Sequence, residues 1–462
     1  MCEAINYSID LEGIKDTFKF TDKGLTHKQG VKYKLLPYVA NEKTLVSEFS
    51  GVVGSFSRII SEKKLNGKFE VETFLEEVAE QIGEYEGDNS RSVFKDIVKS
   101  MFIDDNGLVD FDIKTMNYIP STTSDDKVSN FIYSVLFDES IKKDVHNHYD
   151  RDVENILYKI VLKALPELKD DKRSIGEYKC YLPFVKEQFI KDFKFIISKE
   201  DLYKNSLKRF LEYYYMFYVS QLIMKLDEFE NADLTKPNTL YYTLDWERTS
   251  KTRTAYQFGW EKIKSSTDSL FSHAVVLEML NHNNIDEQLG YKELYELYNS
   301  LDESTLIEKI EDLIQLYKAH TQDIKWENFK YENKDTEVKS FNSVYKLFNV
   351  VRYQFEKSKT RIRANEAYRN WFVKFVQKNF AKRRGQLGYN LNITEDDIIL
   401  MTKICINDNE KLKLNTLFEE FEARGLFFDR DSKMKIIQLY EKLNLLEKKS
   451  DSGDAQYVKS VL

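Results

Sequence analysis

The last seventy residues, 393–462, constrain the fold most, because caps, apolar spacings and turn residues there define one order of elements. Thr394, with Asp397 three positions later, is typical of a capped helix N-terminus. Residues 411–414 alternate polar and apolar side chains, as a short strand does. Asn415 is a candidate cap for a second helix.

The second half of this stretch continues the pattern. Gly425 suits the left-handed position that follows a helix end, and a third helix is expected from about Asp431. Segments 445–449 and 455–460 then flank the glycine-containing turn 450–454 and predict a hairpin. The order helix, strand, helix, turn, helix, hairpin predicts a winged helix-turn-helix.

The rest of the chain is expected to be mainly α-helical. All five prolines lie before residue 238, so no proline interrupts a helix in the second half. Short strands are expected only at 16–20 and 31–35. Apolar spacings of three and four residues predict helices at 71–85, 92–102, 153–165, 269–281, 291–298 and 306–317, and two long basic helices at 338–357 and 362–382.

Loops at 117–127 and 231–238 are candidate boundaries between domains. We therefore expect a multi-domain protein with four parts: an N-terminal mostly helical domain at 1–120, an aromatic-rich helical domain at 121–235, a helical domain ending in long basic helices at 236–390, and the winged helix at 391–462.

Composition describes a soluble globular protein, with 42% hydrophobic and 32% charged residues. Its three cysteines are scattered without a CxxC pair, which favours a reducing compartment and argues against structural zinc. The longest apolar run, 213–224, is too short for a membrane span and predicts a buried helix. The N-terminal residues do not resemble a secretory signal, so we expect a cytoplasmic protein with no membrane contact.

Positive charge is concentrated in one segment. Residues 352–384 contain eleven Lys or Arg and two Glu, whereas the whole chain has a net charge of −8. This asymmetry predicts a local contact with a polyanion. The candidate phosphate contacts are Arg361, Arg363, Lys374, Lys378, Lys382, Arg383 and Arg384. An acidic protein partner and a plain solvated surface are the alternatives.

The predicted winged helix is less basic than a typical DNA reader. Residues 393–462 contain eleven basic and fourteen acidic residues. Asp429 and Asp431 are expected to repel phosphate, as are Asp451 and Asp454. Docking to a protein therefore explains this unit almost as well as DNA contact does. The candidate DNA contacts are Arg430, Lys433, Lys435, Lys442, Lys448 and Lys449.

Three patterns resemble functional sites superficially. His146–Asp152 has an HxHxD spacing but lacks the further histidines of a metal site, and is interpreted as a surface loop. The ExK dyads Glu167/Lys169 and Glu177/Lys179 lack the strand pair that a metal-dependent nuclease requires. The aromatic and basic residues from Trp246 to Trp260 are interpreted as packed tryptophans with surface arginines.

No nucleotide-binding or nucleophile motif is present in the sequence. We therefore expect no catalytic residue, no bound metal and no cofactor.

Several segments resemble one bacterial family. Residues 383–389 (RRGQLGY), 425–432 (GLFFDRDS) and 449–458 (KSDSGDAQYV) resemble the C-terminal signature of the DptG proteins. Residues 36–38 (LPY) and 51–58 (GVVGSFSR) are also similar to that family. The similarity is strongest over the last eighty residues and weak through the middle of the chain.

The resemblance implies a non-catalytic subunit of a bacterial DNA phosphorothioation-dependent restriction complex used in anti-phage defence. DptF-like and DptH-like partners would then supply ATP hydrolysis, translocation and cutting. This chain would contribute scaffolding and contact with double-stranded DNA. A protein-docking adaptor that does not touch DNA is the first alternative, and a metal-dependent nuclease is the second.

Overall fold

A computed structural model describes residues 7–22, 24–37, 45–67, 69–104, 107–172, 177–334, 336–448 and 456–461. This part of the chain is mainly helical, as predicted. Within it, no helix has both the length and the apolar composition that crossing a membrane requires.

The helices of the first half begin with a short one and end with the longest. They are α1 (Leu11–Phe18), α2 (Ser50–Ile60), α3 (Val71–Ile82), α4 (Ser90–Phe102), α5 (Thr123–Leu136), α6 (Lys142–Tyr149), α7 (Ile156–Lys163), α8 (Pro183–Ser198) and α9 (Glu200–Asp227).

The described residues of the second half contain ten further helices. They are α10 (Thr254–Gln257), α11 (Trp260–Thr267), α12 (Leu270–Leu280), α13 (Tyr291–Asn299), α14 (Glu303–Ala319), α15 (Lys339–Lys357), α16 (Ile362–Asn379), α17 (Glu395–Ile406), α18 (Leu414–Ala423) and α19 (Arg430–Lys442).

Within the described ranges the strands are short and form four small sheets. They are β1 (Lys63–Leu65), β2 (Ile103–Asp104), β3 (Gly107–Leu108), β4 (Leu168–Asp170), β5 (Thr243–Leu244), β6 (Ala381–Arg383), β7 (Tyr389–Ile393), β8 (Lys411–Lys413), β9 (Leu446–Lys448) and β10 (Gln456–Lys459). β1 pairs with β4 and β2 with β3; the three-stranded sheets have the orders β5-β7-β6 and β8-β10-β9.

Helix α9 lies at the centre of the main hydrophobic core. Its residues 210–226 are all buried, which confirms the buried helix predicted at 213–224. One apolar cluster extends from Tyr7 to Val458 and includes residues from all four predicted domains. A second, smaller cluster is built from α3, α4 and α7 around Val78, Val98 and Val161. The predicted boundaries after residues 120, 235 and 390 stay predictions.

The C-terminal elements follow each other as α17, β8, α18, α19, β9 and β10. The capping box at α17 forms as predicted, with Asp397 N donating to Thr394 Oγ1 at 3.1 Å and Thr394 N donating to Asp397 Oδ2 at 3.0 Å. Gly425 follows α18 with the predicted positive φ, +79°. Val458 of β10 lies opposite Leu412 on one side and Leu446 on the other, both in antiparallel register. The turn predicted at 450–454 and Lys449 lie outside the described residues.

Arginine–aspartate pairs join these C-terminal elements to earlier helices. Arg209 of α9 holds Asp397 through Nε–Oδ1 and Nη2–Oδ2 bonds of 2.6 and 2.8 Å. Arg424, directly after α18, holds Asp192 of α8 through two bonds of 2.7 Å each. Both links are two-point contacts, the strongest geometry available to a guanidinium and a carboxylate. The C-terminal elements are therefore fixed against the α8–α9 hairpin.

The predicted strands near the N-terminus are wrong. Residues 16–20 lie mostly in α1, because Ile14 and Phe18 are four residues apart and both buried on one helix face. Residues 31–35 form no strand. Instead, four consecutive backbone amides, at Gly30 to Tyr33, donate to the buried carboxylate of Glu278 over 2.9–3.1 Å. These amides are therefore unavailable for strand pairing.

Two predicted helix ends are also wrong. Helix α18 begins one residue before Asn415, at Leu414, and Lys413 occupies the cap position without a side-chain cap bond. The second basic helix, α16, ends at Asn379 and not at Lys382. The chain leaves the helix at Phe380 because residues 381–383 pair antiparallel with residues 389–391.

Candidate nucleic-acid interface

The predicted Lys382–Arg384 cluster lies on strand β6 and the residue directly after it, not on a helix. Lys382 Nζ donates to the Asp245 carboxylate at 2.7 Å and to its carbonyl oxygen at 2.9 Å. Arg384 Nη2 donates to the Leu244 carbonyl at 2.9 Å. The hydrogen bond from Lys382 holds the pKa of Asp245 below its ordinary value. Both cations therefore tie the segment at the end of β6 to Leu244 and Asp245, at the end of β5, across the central strand β7.

Arg383 differs from its two neighbours. Successive side chains of a strand point to opposite faces, so Arg383 faces away from Lys382. Its side chain is exposed, and within the described residues it has no ion-pair or hydrogen-bond partner. The cluster predicted as three phosphate contacts thus contains two structural cations and one free cation.

The loop 245–253 lies beside the same sheet. Asn390 of β7 donates through Nδ2 to Thr249 Oγ1 at 3.3 Å. Arg248 and Lys251 are exposed. Trp246 is 42% exposed, so the interpretation of a packed tryptophan is wrong at this position, whereas Trp260 is buried as expected. The loop therefore presents an aromatic ring and two cations beside the sheet that carries Arg383.

Arg253 connects this loop to the start of α19. Its guanidinium forms ion pairs with Glu247 and with Asp429. Asp429 also caps α19, accepting from Ser432 N at 3.0 Å. Burial alone would raise the pKa of Asp429, but the bonds from Arg253 and Ser432 hold it below the ordinary value. The charge that was expected to repel phosphate is therefore paired, although Asp431 remains 70% exposed.

The predicted contacts on α19 and β9 differ in whether their side chains have a partner within the described residues. Arg430 is exposed and has no partner within the described residues. Lys433 forms an ion pair with Glu422 at 2.9 Å, and Lys448 forms one with Glu441 at 2.9 Å. Lys435 donates to Gln438 at 3.1 Å. Surface pairs of this kind are weak and can exchange for phosphate.

The remaining predicted contacts lie at or on α16. Arg361 is half-buried, with Nη1 3.3 Å from Nδ1 of the half-buried His27. Lys378 donates to Ser47 Oγ at 3.2 Å, and Lys374 also has a partner. Arg363 is exposed. Because Lys382 is not on this helix, the predicted stripe of three lysines is wrong, and only Lys374 and Lys378 share a helical face.

We use the term loop–strand surface for Trp246, Arg248, Lys251, Arg383 and Arg430. The bonds between Lys382 and Asp245, Asn390 and Thr249, and Arg253 and Asp429 place these five residues on elements in direct contact. Sequence analysis noted the 246–260 patch but did not connect it with β6 or α19. Nothing local marks the connection, because it depends on pairing between segments more than 130 residues apart.

The patterns that resemble active sites lie in settings that differ from the expected ones. Lys169 lies on β4, which pairs with β1, so the expectation that the Glu167/Lys169 dyad lacks a strand pair is wrong. His146 lies on helix α6 and not in the expected loop. Lys179 Nζ donates to Glu293 and to the Gln288 carbonyl, at 2.6 Å each, and is thereby fixed in the fold. Among the described residues, no group of three or more His, Cys, Asp or Glu side chains is arranged to hold a metal ion.

One serine, histidine and aspartate do meet inside the protein. Ser269 Oγ donates to Asp227 Oδ1 at 2.5 Å, and His273 Nε2 lies 3.1 Å from the same oxygen. A hydrolytic triad needs the serine bonded to the histidine. Here both groups bind the aspartate, and His273 is buried against Phe348. This arrangement is a structural polar cluster.

Searches of protein-family profiles and of curated proteins find no significant match to this chain.

Proposed function

We propose that this chain is a non-catalytic, DNA-contacting subunit of a bacterial phosphorothioation-dependent restriction complex. Its role there is to position duplex DNA for DptF-like and DptH-like partners in the cytoplasm. The resemblance to the DptG proteins supplies the biological setting. The loop–strand surface is the observation that carries the DNA contact.

The C-terminal elements support this proposal. We infer that residues 391–462 form a winged helix-turn-helix, with α19 as the recognition helix and β9–β10 as the wing. In such units the recognition helix enters the major groove, and its N-terminal residues approach the bases. Arg430 is the first residue of α19, and Arg248 and Lys251 lie on the loop that Arg253 joins to that end. Arg383 lies on β6, in the sheet beside this loop. These cations suit contact with the phosphates that flank the groove.

The pairing of acidic side chains also supports DNA contact. Asp245, Glu247 and Asp429 each bind a cation of the chain, so their charges are offset inside the protein. Arg248, Lys251, Arg383 and Arg430 have no such partner in the described residues. Neutralising phosphates with free cations releases counterions and provides most of the non-specific affinity for DNA.

Fluorescence anisotropy of the purified chain with a labelled duplex tests this function. We expect binding at low salt that weakens steeply as salt rises. Absence of binding at low salt would contradict the proposal and favour the adaptor.

The adaptor is the second candidate, and the ion-paired surface of α19 favours it. Lys433 and Lys448 are matched by Glu422 and Glu441, which suits a mixed-charge protein partner as well as DNA. An adaptor would associate with the partner subunits in a salt-sensitive way without binding duplex DNA. Co-purification with the partners, measured in parallel with anisotropy, separates the two functions.

A further inference from the structure

A cavity of about 450 Å³ opens to solvent between α10 and the start of α19. Its apolar walls come from Tyr241, Phe428 and Met434, and its polar groups from Thr254, Asp429, Arg430 and Lys433. Ligand pockets of ~300–1,000 Å³ are common in proteins and enclose molecules larger than a nucleobase. The cavity is therefore large enough for one base.

The walls are held in place by backbone pairing. Tyr242 N donates to the Phe427 carbonyl at 2.9 Å, and Tyr241 N donates to the Phe258 carbonyl at 3.0 Å. The rings of Tyr241 and Phe427 lie 6.1 Å apart. Met434 is 50% exposed, although it adjoins this aromatic group. An apolar wall is thus present before any ligand binds.

The polar groups of the cavity suit a neutral ring joined to an anion. Asp429 is already held by Arg253 and by the Ala255 amide, so its charge is offset. Lys433 is held by Glu422. The Thr254 hydroxyl and the Arg430 guanidinium have no partner in the described part of the chain. One hydroxyl and one cation therefore remain for a ligand.

We propose that this cavity accepts a single unpaired nucleobase of the DNA that the loop–strand surface binds. Tyr241, Phe428 and Met434 contact the base, Thr254 bonds its edge, and Arg430 meets its phosphate. Stacking of bases on aromatic side chains is tolerant of sequence and contributes appreciably to affinity. This inference rests on the proposed DNA contact and names the DNA structure that the surface prefers.

Three labelled duplexes test the proposal by anisotropy: a fully paired one, one with a single bulged nucleotide, and one whose bulged nucleotide lacks its base. The base and abasic bulges carry the same phosphates, so only the cavity distinguishes them. We expect roughly 5- to 100-fold tighter binding of the base bulge than of the abasic bulge. Equal affinities for these two would overturn the inference.

Met434→Ala provides the matched test of the site. It should remove most of the preference for the base bulge over the abasic bulge, a ratio that cancels any change in binding to the duplex itself. Met101→Ala is the control, because Met101 is 51% exposed on α4, a helix that contributes to the separate α3–α4–α7 cluster. A preference that survives Met434→Ala would also overturn the inference. Loss of binding to all three duplexes in the wild type would overturn both the proposed function and this inference.

Discussion

Asp192 of α8 and Arg424, directly after α18, form a two-point ion pair in which both side chains are essentially inaccessible, at 1% and 0% exposure. Tyr214 Oη donates to the same aspartate at 2.5 Å, and Glu420 accepts from Arg424 Nη1 at 2.6 Å. Burial acts to lower the pKa of Arg424, but the carboxylate of Asp192 raises it well above the ordinary value. The guanidinium therefore stays charged inside the fold and fixes α18 to α8.

Removing only one partner of this ion pair should lower the stability of the fold. We expect Arg424→Met to lower the free energy of unfolding by about 3–5 kcal/mol, because Asp192 is then a buried charge without a counter-ion. The double variant Asp192→Asn with Arg424→Met should be more stable than Arg424→Met alone. Urea unfolding measures both, with Arg430→Met as the exposed control. A change below about 1 kcal/mol in Arg424→Met would contradict this account.

Gly425 lies against α9, and this contact should reject any side chain. A Cβ at Gly425 would lie 2.4 Å from Phe217 Cε2, and φ is +79°. Gly425→Ala should therefore lower stability by about 2–5 kcal/mol, combining backbone strain with overpacking. Gly385→Ala is the matched control, because Gly385 also has a positive φ, +58°, but open space around its Cβ position. It should lose only about 1–2 kcal/mol. Equal losses in the two variants would argue against the Phe217 contact.

The four backbone amides that donate to the Glu278 carboxylate predict that stability depends on pH. Burial alone would raise the pKa of Glu278, but bonds from His282 and from the amides of Lys32 and Tyr33 hold it below its ordinary value. A carboxyl group whose pKa is lower in the folded state stabilises the fold at pH values above its pKa in the unfolded chain, ~4.3. This stabilisation is lost as the pH falls through the pKa of the folded state.

Glu278→Gln should therefore be less stable than the wild type by about 2–4 kcal/mol at pH 7, because one amide oxygen cannot accept four amides. The difference should shrink below about pH 4.3, as the wild-type carboxylate becomes protonated. Urea unfolding at pH 7 and at lower pH measures this change. A difference that is constant with pH would show that the charge of Glu278 does not support the fold.

The adjacent residues Arg383 and Arg384 should respond differently to mutation. Arg384→Ala should lower stability by about 1–3 kcal/mol, because the bonds from Arg384 to the Leu244 and Asp245 carbonyls and to Asn392 Oδ1 are lost. Arg383→Ala should change stability by less than about 0.5 kcal/mol, because Arg383 is exposed and makes no such bonds. Thermal unfolding of the two single variants checks this. Equal destabilisation would contradict the division between structural and free cations.

Local signals in the sequence predicted much of the helical structure. The cap at Thr394 and the break at Gly425 are recognisable because a short stretch determines each of them. The strand predicted at 16–20 failed because five alternating residues are also compatible with a helix. There the i, i+4 pair of Ile14 and Phe18 determines the structure.

The candidate interface was only partly predictable, because its parts are distant in the sequence. The spacing of four residues between Lys374, Lys378 and Lys382 predicted that helix α16 continues to Lys382. The glycines at 385 and 388, both with positive φ, are the turn signal that indicates a β6–β7 hairpin instead. The exposure of Trp246 and the pairing of Asp429 with Arg253 depend on tertiary contacts. Composition and spacing contain no signal for either of them.

The most direct test of DNA contact compares two triple charge reversals. Arg248→Glu, Arg383→Glu and Arg430→Glu together remove three free cations of the loop–strand surface and leave Lys382 and Arg384 intact. Lys64→Glu, Lys127→Glu and Lys309→Glu change the net charge equally at exposed positions on β1, α5 and α14. Anisotropy with a labelled duplex across a salt series measures the affinity of each protein and the slope of log affinity against log salt.

We predict that the loop–strand variant binds much more weakly than the wild type and that its slope is shallower by roughly 3, about 0.9 for each lost phosphate contact. The control variant should retain most of the wild-type slope. Equal slopes in the two variants would contradict the account, because they would show that net charge, and not this surface, governs DNA binding.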